Sequence, residues 1–239
     1  MGYIEDARED TVRLKREVRK KILALRDSIP TVDKVQYDAS IRNIVMEMEE
    51  YSESKVILAY ASYRSEVDTL VLIGQALADG KHVFAPKVSG NEMEFWKISA
   101  MEDLREGYRG IREPVQSVPF PDWLKERCSI ADIDTVMNKD IAENYTREFC
   151  KIAMWMPGAA FDKERHRIGY GGGFYDRYLN RLSCASGQMA SSEQQGLFIG
   201  HLTLTTTALA YHCQLLERIP HEEHDRKPDL LITEQGIYT

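Results

Sequence analysis

Apolar and polar positions divide the chain into helical and extended stretches. From about Thr11 to Ile29, apolar residues fall at Leu14, Val18, Ile22, Leu25 and Ile29. That period predicts an amphipathic helix. Arg13, Lys15, Arg16, Arg19, Lys20, Lys21 and Arg26 occupy its other faces, and Pro30 ends it. A second helix is expected over Val35 to Tyr51, with Tyr37, Ile41, Ile44, Val45 and Met48 inward. At Lys55 to Tyr63, KVILAYASY, the period changes to a near-continuous apolar run, as in a strand buried on both faces. Asp68 or Thr69 can cap the next helix, and Gly80 closes it after Leu77. His82 to Val88 reads as another strand. Strand, helix, strand over Lys55 to Val88 is a βαβ unit, which implies a parallel pair.

Further strands are expected at Met93 to Ile98, Lys151 to Met156, Leu197 to Leu204, Ala208 to Tyr211 and, last, Leu230 to Thr233. A helix is expected from about Gly173 to Leu182, and irregular structure over the Gly- and Pro-rich stretch Gly107 to Pro121. Residues 126–150 read as a helical insertion, 183–196 as a mobile loop of small polar residues, and 1–10 as a flexible tail. There is no internal repeat. The alternation predicts one domain over 1–239: a three-layer α/β/α sandwich, Rossmann-like, with a mostly parallel central sheet.

Composition adds constraints. The 239 residues are 43% hydrophobic and 29% charged, which suits a globular chain with a sizeable core. A formal net charge of −7 argues against bulk nucleic-acid binding, so any anion must be held by a local basic site. Cys128, Cys150, Cys184 and Cys213 form no C-x-x-C pair, which favours a reducing cytoplasm over a disulfide framework or structural zinc. The start, MGYIEDARED, is acidic where a secretory signal is basic, and Asp6 stands where a myristoylation site needs Ser or Thr. No apolar run approaches the length of a membrane span. The chain is expected to be monomeric and to bind neither nucleic acid nor membrane.

The chemistry concentrates in RIGYGGGFYDRYL, Arg167 to Leu179. Glycines at 169, 171, 172 and 173 let backbone N–H groups approach a ligand, and a following helix adds its positive end. The strand Lys151 to Met156 precedes this loop. Tyr175, Tyr178, Leu179 and Leu182 form the apolar stripe of the helix that follows, which leaves Asp176 in its first turn and off that stripe. The loop is neither a Walker loop, lacking Gly-Lys-Ser/Thr, nor a G-x-G-x-x-G fingerprint, since Phe174 takes the last glycine position. A plain turn is the alternative reading of its glycines. A carboxylate beside a phosphate pocket makes sense if Mg²⁺ bridges the two. On spacing alone, Asp176 serves a metal or the helix dipole equally well.

Pro157-Gly158-Ala159-Ala160-Phe161-Asp162-Lys163 followed by Arg167 to Leu179 resembles the signature of the 5-formyltetrahydrofolate cyclo-ligase family. The likeness extends to Lys15 to Arg19, Ser65 to Thr69, Gly107 to Pro114, Ala210 to Leu216, Ile219 to Asp225 and Asp229 to Thr233. Two positions depart from it. The family usually has Gly where Arg165 stands and often a second Tyr where Phe174 stands.

The resemblance implies ATP-dependent cyclisation of 5-formyltetrahydrofolate to 5,10-methenyltetrahydrofolate, with Mg²⁺ as cofactor. It implies ATP contacts from Lys15, Arg19, Arg167, Ile168, Gly169, Tyr170, Gly171, Gly172, Gly173, Phe174 and Tyr175. Folate would meet Ala61 through its backbone, Glu66 at the pterin's donor edge, and Tyr170, Gly171, Gly172, Gly173 and Phe174. Arg167, Tyr175 and Asp176 would be catalytic, and Asp176 and Asp225 would hold the metal. Each has a plainer reading. Lys15 and Arg19 could be a solvated basic face, Arg167 a surface salt bridge, Glu66 a local cap, Asp225 a loop acid, and Tyr175 simple core. HEEHD, His221 to Asp225, lacks the H-E-x-x-H spacing of a zinc protease. His212 and Cys213 are adjacent on an expected strand and would face opposite ways, which excludes a nucleophile pair. The competing functions are a non-catalytic sensor of a phosphorylated metabolite and a paralogous ligase with another substrate.

Overall fold

The computed structural model describes residues 2–107, 110–115, 117–131, 151–185, 197–199 and 202–239. The apolar run Val56–Ala59 forms β1, buried on both faces. β2 (His82–Ser89) pairs with it in parallel on one side and β6 (Lys151–Met156) on the other. Beyond β6 come β10 (Leu202–Leu209) and β12 (Leu230–Thr233), also parallel. The antiparallel strands are β3 (Glu92–Ile98) beside β2, β13 (Gly236–Tyr238) beside β12, and β9 (Leu197–Ile199) along the start of β10. Among the described residues the expected mostly parallel sheet is thus eight-stranded, seven along the path β13-β12-β10-β6-β1-β2-β3 and β9 paired with β10 off it.

Successive residues of β1 serve opposite faces, as the period of a strand requires. Ile57 and Ala59 pack with Ile41 and Val45 of α2 (Thr31–Glu47), Tyr51 of the short α3 (Glu49–Ser52), and Leu72 and Ile73 of α4 (Thr69–Ala78). Val56 and Leu58 pack with Phe120 and Trp123 of α5 (Phe120–Ala131) and Tyr178 and Leu179 of α6 (Phe174–Ala185). Helices on both faces make the expected three layers. Each fully buried large apolar side chain contributes about 1.5–3 kcal/mol to this arrangement.

α1 (Gly2–Asp27) departs from its expected pattern twice. The helix starts at Gly2, taking in residues 2–10, because no breaker lies between Tyr3 and Thr11. Leu14 and Leu25 of the expected apolar stripe are 42% and 46% exposed. Ile22 of the same stripe is buried as expected, against Ala160, Ile168 and Ile219, with Val18 packed beside it. The reason is that α1 packs on a small separate sheet: β7 (Ala160–Asp162), β8 (Arg167–Ile168) and β11 (Leu215–Leu216), in the order β11-β7-β8. Lys15, Arg19 and Arg26 share the face of Ile22, at spacings of four, three and four.

Other boundaries shift for local reasons. α2 begins at Thr31, straight after Pro30, whose φ of −58° suits a helix entrance, and it stops where Met48 is extended. Asp68 caps α4 through Leu70 N, and Gly80 follows at φ +74°, as the sequence predicts. The stretch expected to be irregular contains a short hairpin of β4 (Leu104–Glu106) and β5 (Arg112–Pro114), and α5 begins at Phe120. β10 is one strand where the expectation broke at Leu204, and β13 follows the strand expected to be last. The expected insertion beyond Ala131 and the expected loop beyond Ala185 lie outside the described residues.

One topological fact positions the site. From β1 the chain crosses to β2 on one side, while β6 lies on the other side of β1. The strand order reverses there, and such switch points open a crevice at the carboxyl ends of the strands. Ala61 and Glu66 follow β1, and Pro157-Gly158 follows β6.

Candidate active site

The glycine loop does not leave the central sheet directly, as its sequence context suggests. After β6 the chain forms the β7–β8 hairpin, and the loop runs from β8 into α6. Arg165, in the hairpin turn, has φ +66° where the family usually has Gly. In the loop, Gly171 at φ +97° and Gly173 at φ +62° adopt left-handed backbone, and a Cβ on Gly173 would stand 2.9 Å from the Arg177 guanidinium. Tyr170, Gly171 and Gly172 are exposed. Ile168 is buried against Ile22 of α1.

The basic face of α1 meets this loop. Arg19 Nε donates to Gly169 O at 2.7 Å. Lys15 Nζ donates to Glu222 Oε2 at 2.7 Å and Asp225 Oδ2 at 2.6 Å. These cations are not a merely solvated face. Arg167 is only 6% exposed, so it is no surface salt bridge. Its Nη2 donates to Asp176 Oδ1 at 2.9 Å and its Nη1 to Pro157 O at 3.3 Å, while its buried Nε has no hydrogen-bond partner among the described residues. Asp176 Oδ1 also accepts from Arg226 N at 3.1 Å, which joins the first turn of α6 to the segment carrying Asp225.

Asp176 and Asp225 therefore flank one loop, each held by a cation. Among the described residues, Glu222, His224 and Asp225 bring ligand atoms all within 4.8 Å of one another. Asp176 is not among them. Carboxylate oxygens suit Mg²⁺, whereas the His224 nitrogen does not favour it. A cation here would have to displace Lys15 from Asp225.

Glu66 closes the other side. Its carboxylate accepts from Tyr63 N at 2.8 Å, which is a local turn bond. Burial pushes its pKa up, opposed by the nearby Tyr170 hydroxyl, by the Tyr63 N–H and by the charges of Arg26 and Lys34. Ala61 lies buried at the end of β1. Phe174 is half-buried with the Arg177 guanidinium 5.1 Å over its ring.

Tyr175 lies on the buried stripe of α6, as its spacing predicts: it is 9% exposed and packs edge-on against Phe95, with its hydroxyl buried and unpartnered among the described residues. Positions 175, 178 and 179 of α6 all turn onto the sheet, so Tyr175 underlies the loop. His212 and Cys213 occupy a 3-10 turn and not the expected strand. Burial raises the Cys213 thiol pKa, which also opposes a nucleophile.

Three further residues build the site. Arg26, nominally on the polar side of α1, is buried and donates to Tyr170 at 2.6 Å. Gln214 donates to Gly158 O at 2.9 Å and Ala159 O at 3.1 Å, fixing the chain after β6. Glu222 shares Lys15 with Asp225. The signal for Arg26 was its seven-residue spacing from Arg19. Gln214 and Glu222 had no local signal.

The model of the 5-formyltetrahydrofolate cyclo-ligase family matches residues 11–234. The chain is 25% identical over 228 residues to the mouse 5-formyltetrahydrofolate cyclo-ligase, covering 93% of each. It is 29% identical over 231 residues to the mitochondrial 5-formyltetrahydrofolate cyclo-ligase of Arabidopsis thaliana, covering 92% of this chain and 72% of that one. The NMR structure of Aquifex aeolicus 5,10-methenyltetrahydrofolate synthetase superposes with a TM-score of 0.66 at 27% identity, over 94% of this chain and 91% of that one. With the match running from α1 to the strand β12, this chain belongs to the 5-formyltetrahydrofolate cyclo-ligase family.

Proposed function

We propose that this protein cyclises 5-formyltetrahydrofolate to 5,10-methenyltetrahydrofolate with hydrolysis of ATP to ADP and phosphate. The observation that carries the reading is the meeting of Lys15, Arg19 and Arg167 around an open glycine loop, beside Asp176 and Asp225. A formamide oxygen is a poor leaving group, so phosphorylation is what makes ring closure accessible. The formyl oxygen attacks the γ-phosphorus and ADP leaves. N10 then attacks the resulting imine carbon, loses its proton, and phosphate departs with the former formyl oxygen.

In this reading the protein supplies position and charge and no nucleophile. The exposed N–H groups of Gly171 and Gly172, with the start of α6, face the phosphates. Arg167 exchanges Asp176 for a phosphate through its planar fork. Lys15 and Arg19 clamp the nucleotide from α1. Glu66 accepts the donor edge of the pterin, with Ala61, Tyr170 and Phe174 around the ring. Asp176 and Asp225 are the residues that would hold Mg²⁺, which neutralises phosphate charge when bound. Cytoplasmic residence belongs to the proposal on the spacing of the cysteines. No helix among the described residues is long and apolar enough to cross a membrane.

The test is purified protein with 5-formyltetrahydrofolate, ATP and Mg²⁺, following the near-ultraviolet band of the methenyl product. ATP-dependent growth of that band, absent with Asp176→Ala, is the expected result. A folded protein that binds ATP yet forms no product would overturn the reading in favour of another substrate.

A further inference from the structure

Arg26 is the site cation that the proposed chemistry does not use. It is 6% exposed, near the C-terminal end of α1. Its hydrogen bonds go to hydroxyls: Nη1 to Tyr170 at 2.6 Å and Nε to Ser65 Oγ at 3.0 Å. Burying a guanidinium without an anion is costly, so its retention needs a compensating charge. The carboxylate whose field it feels is Glu66, which follows Ser65 in the chain and lies near the Tyr170 hydroxyl.

We propose that Arg26 is a positioning residue for folate, holding the Tyr170 hydroxyl and the Ser65 loop so that Glu66 presents an ionised carboxylate to the pterin. The inference rests on the cyclo-ligase reading. The geometry makes a relay: Arg26 donates to the Tyr170 oxygen, so the hydroxyl proton of Tyr170 is directed away from Arg26. That proton is given to Gly158 O, at 3.3 Å, on the segment after β6, with the Glu66 carboxylate nearby. Arg26 itself joins Tyr170, which belongs to the glycine loop, to Ser65 in the loop after β1. One residue of α1 thus couples the two loops that open at the switch point.

The charge environment of Glu66 defines what Arg26 adds. Lys34 of α2 reaches Glu66 O at 3.0 Å and is shared with Asp38, whose other oxygen accepts from Tyr211. Tyr60 at the end of β1 and Tyr175 of α6 face Glu66 as neutral phenols, since burial raises both. Asp68 lies nearby as the cap of α4. Arg26 and Lys34 are therefore the cations that favour the ionised carboxylate. Removing Arg26 lets Glu66 take up a proton at higher pH, and folate affinity should then fail from the acid side.

The experiment is equilibrium binding of 5-formyltetrahydrofolate without ATP, from pH 5 to pH 9, with a non-hydrolysable ATP analogue titrated in parallel. Arg26→Gln is expected to weaken folate binding at least tenfold at pH 7 and to move its acid limb upward, leaving the analogue's affinity within twofold. Arg26→Lys should recover part of the loss. Tyr170→Phe keeps the buried cation and the ring, so it tests the same link should Arg26→Gln fold poorly, and a smaller shift of the same sign is expected. A pH-independent loss in these variants, or none, would overturn the positioning role. If the unaltered protein binds the analogue but no folate, the cyclo-ligase reading falls and this inference with it. Folate binding indifferent to Arg26 and Tyr170 sinks this inference alone.

Discussion

Arg167 and Asp176 stand at opposite ends of the glycine loop and meet at 2.9 Å, the guanidinium 3% and the carboxylate 24% exposed. The ion pair closes the loop on itself and, in the proposed reading, holds the phosphate-binding cation beside the metal ligand. Breaking it leaves a buried cation whose only other hydrogen bond among the described residues is to Pro157 O. Asp176→Ala should therefore lose about 2 kcal/mol of stability, somewhat under the 3–5 typical of a broken buried pair because the carboxylate is partly solvated. Turnover should fall by at least about a hundredfold, as for a lost electrostatic contact to the reacting centre. Denaturant melts alongside the methenyl assay check both. An Asp176→Ala protein of unchanged midpoint would show that the pair contributes little.

Lys15 occupies the carboxylates that a cation would use. With Lys15→Ala, Glu222 and Asp225 lose their charge-assisted hydrogen bonds, each ordinarily worth about 1.5–3 kcal/mol. A divalent cation no longer has to displace an ammonium. Calorimetry with Mg²⁺ or Mn²⁺ in the absence of nucleotide should show affinity about tenfold tighter than in the unaltered protein. ATP affinity should move the opposite way. Metal binding that weakens with ATP binding would place the cation site elsewhere.

The sequence made some of this legible for physical reasons. β6 was found at its observed ends because five residues buried within a sheet, Ile152 to Met156, leave an unbroken apolar run after the exposed Lys151. Asp68 and Gly80 marked α4 because caps are local chemistry. The β7–β8 hairpin was missed because its strands are two and three residues long and Phe161 pairs with Leu215, far along the chain. α1 was found, and Val18, Ile22 and Ile29 of its expected stripe do turn inward. Lys15, Arg19 and Arg26 share that inward side where it meets the polar crevice, while Leu14 and Leu25 stay exposed. Periodicity alone does not reveal that cations lie on the buried face.

Arg165 holds a left-handed backbone, φ +66°, at the turn of the hairpin. The turn is tied by Arg165 N to Asp162 O at 2.9 Å and by Asp162 Oδ1 accepting from Glu164 N and His166 N. An L-residue there costs roughly 1–2 kcal/mol that glycine avoids. Its side chain returns part of this through a 3.2 Å bond to Pro228 O. Arg165→Gly should stabilise the protein by up to about 1 kcal/mol without altering turnover, read as a higher denaturant midpoint at unchanged m-value. A loss of stability would show that the Pro228 bond outweighs the strain.

In the proposed reading, Glu66 trades stability for folate binding. Its folded-state pKa lies above its unfolded value of about 4.3, chiefly because it is buried. The folded state thus holds more protons than the unfolded state between those two values, so stability falls as pH rises through that window. Above it, the ionised carboxylate is a standing cost to the fold. Glu66→Gln resembles the protonated acid in shape and removes the cost. It should raise the melting temperature at pH 7, and the advantage should vanish as pH drops below about 4, where the native acid is protonated in both states. Folate affinity should fall in the same variant, because an amide is a weaker acceptor than a carboxylate for the pterin's donors. Thermal melts across pH, paired with folate titrations, check the two halves separately. A Glu66→Gln protein less stable at pH 7 than its parent would mean that Arg26 and Lys34 more than compensate the buried charge.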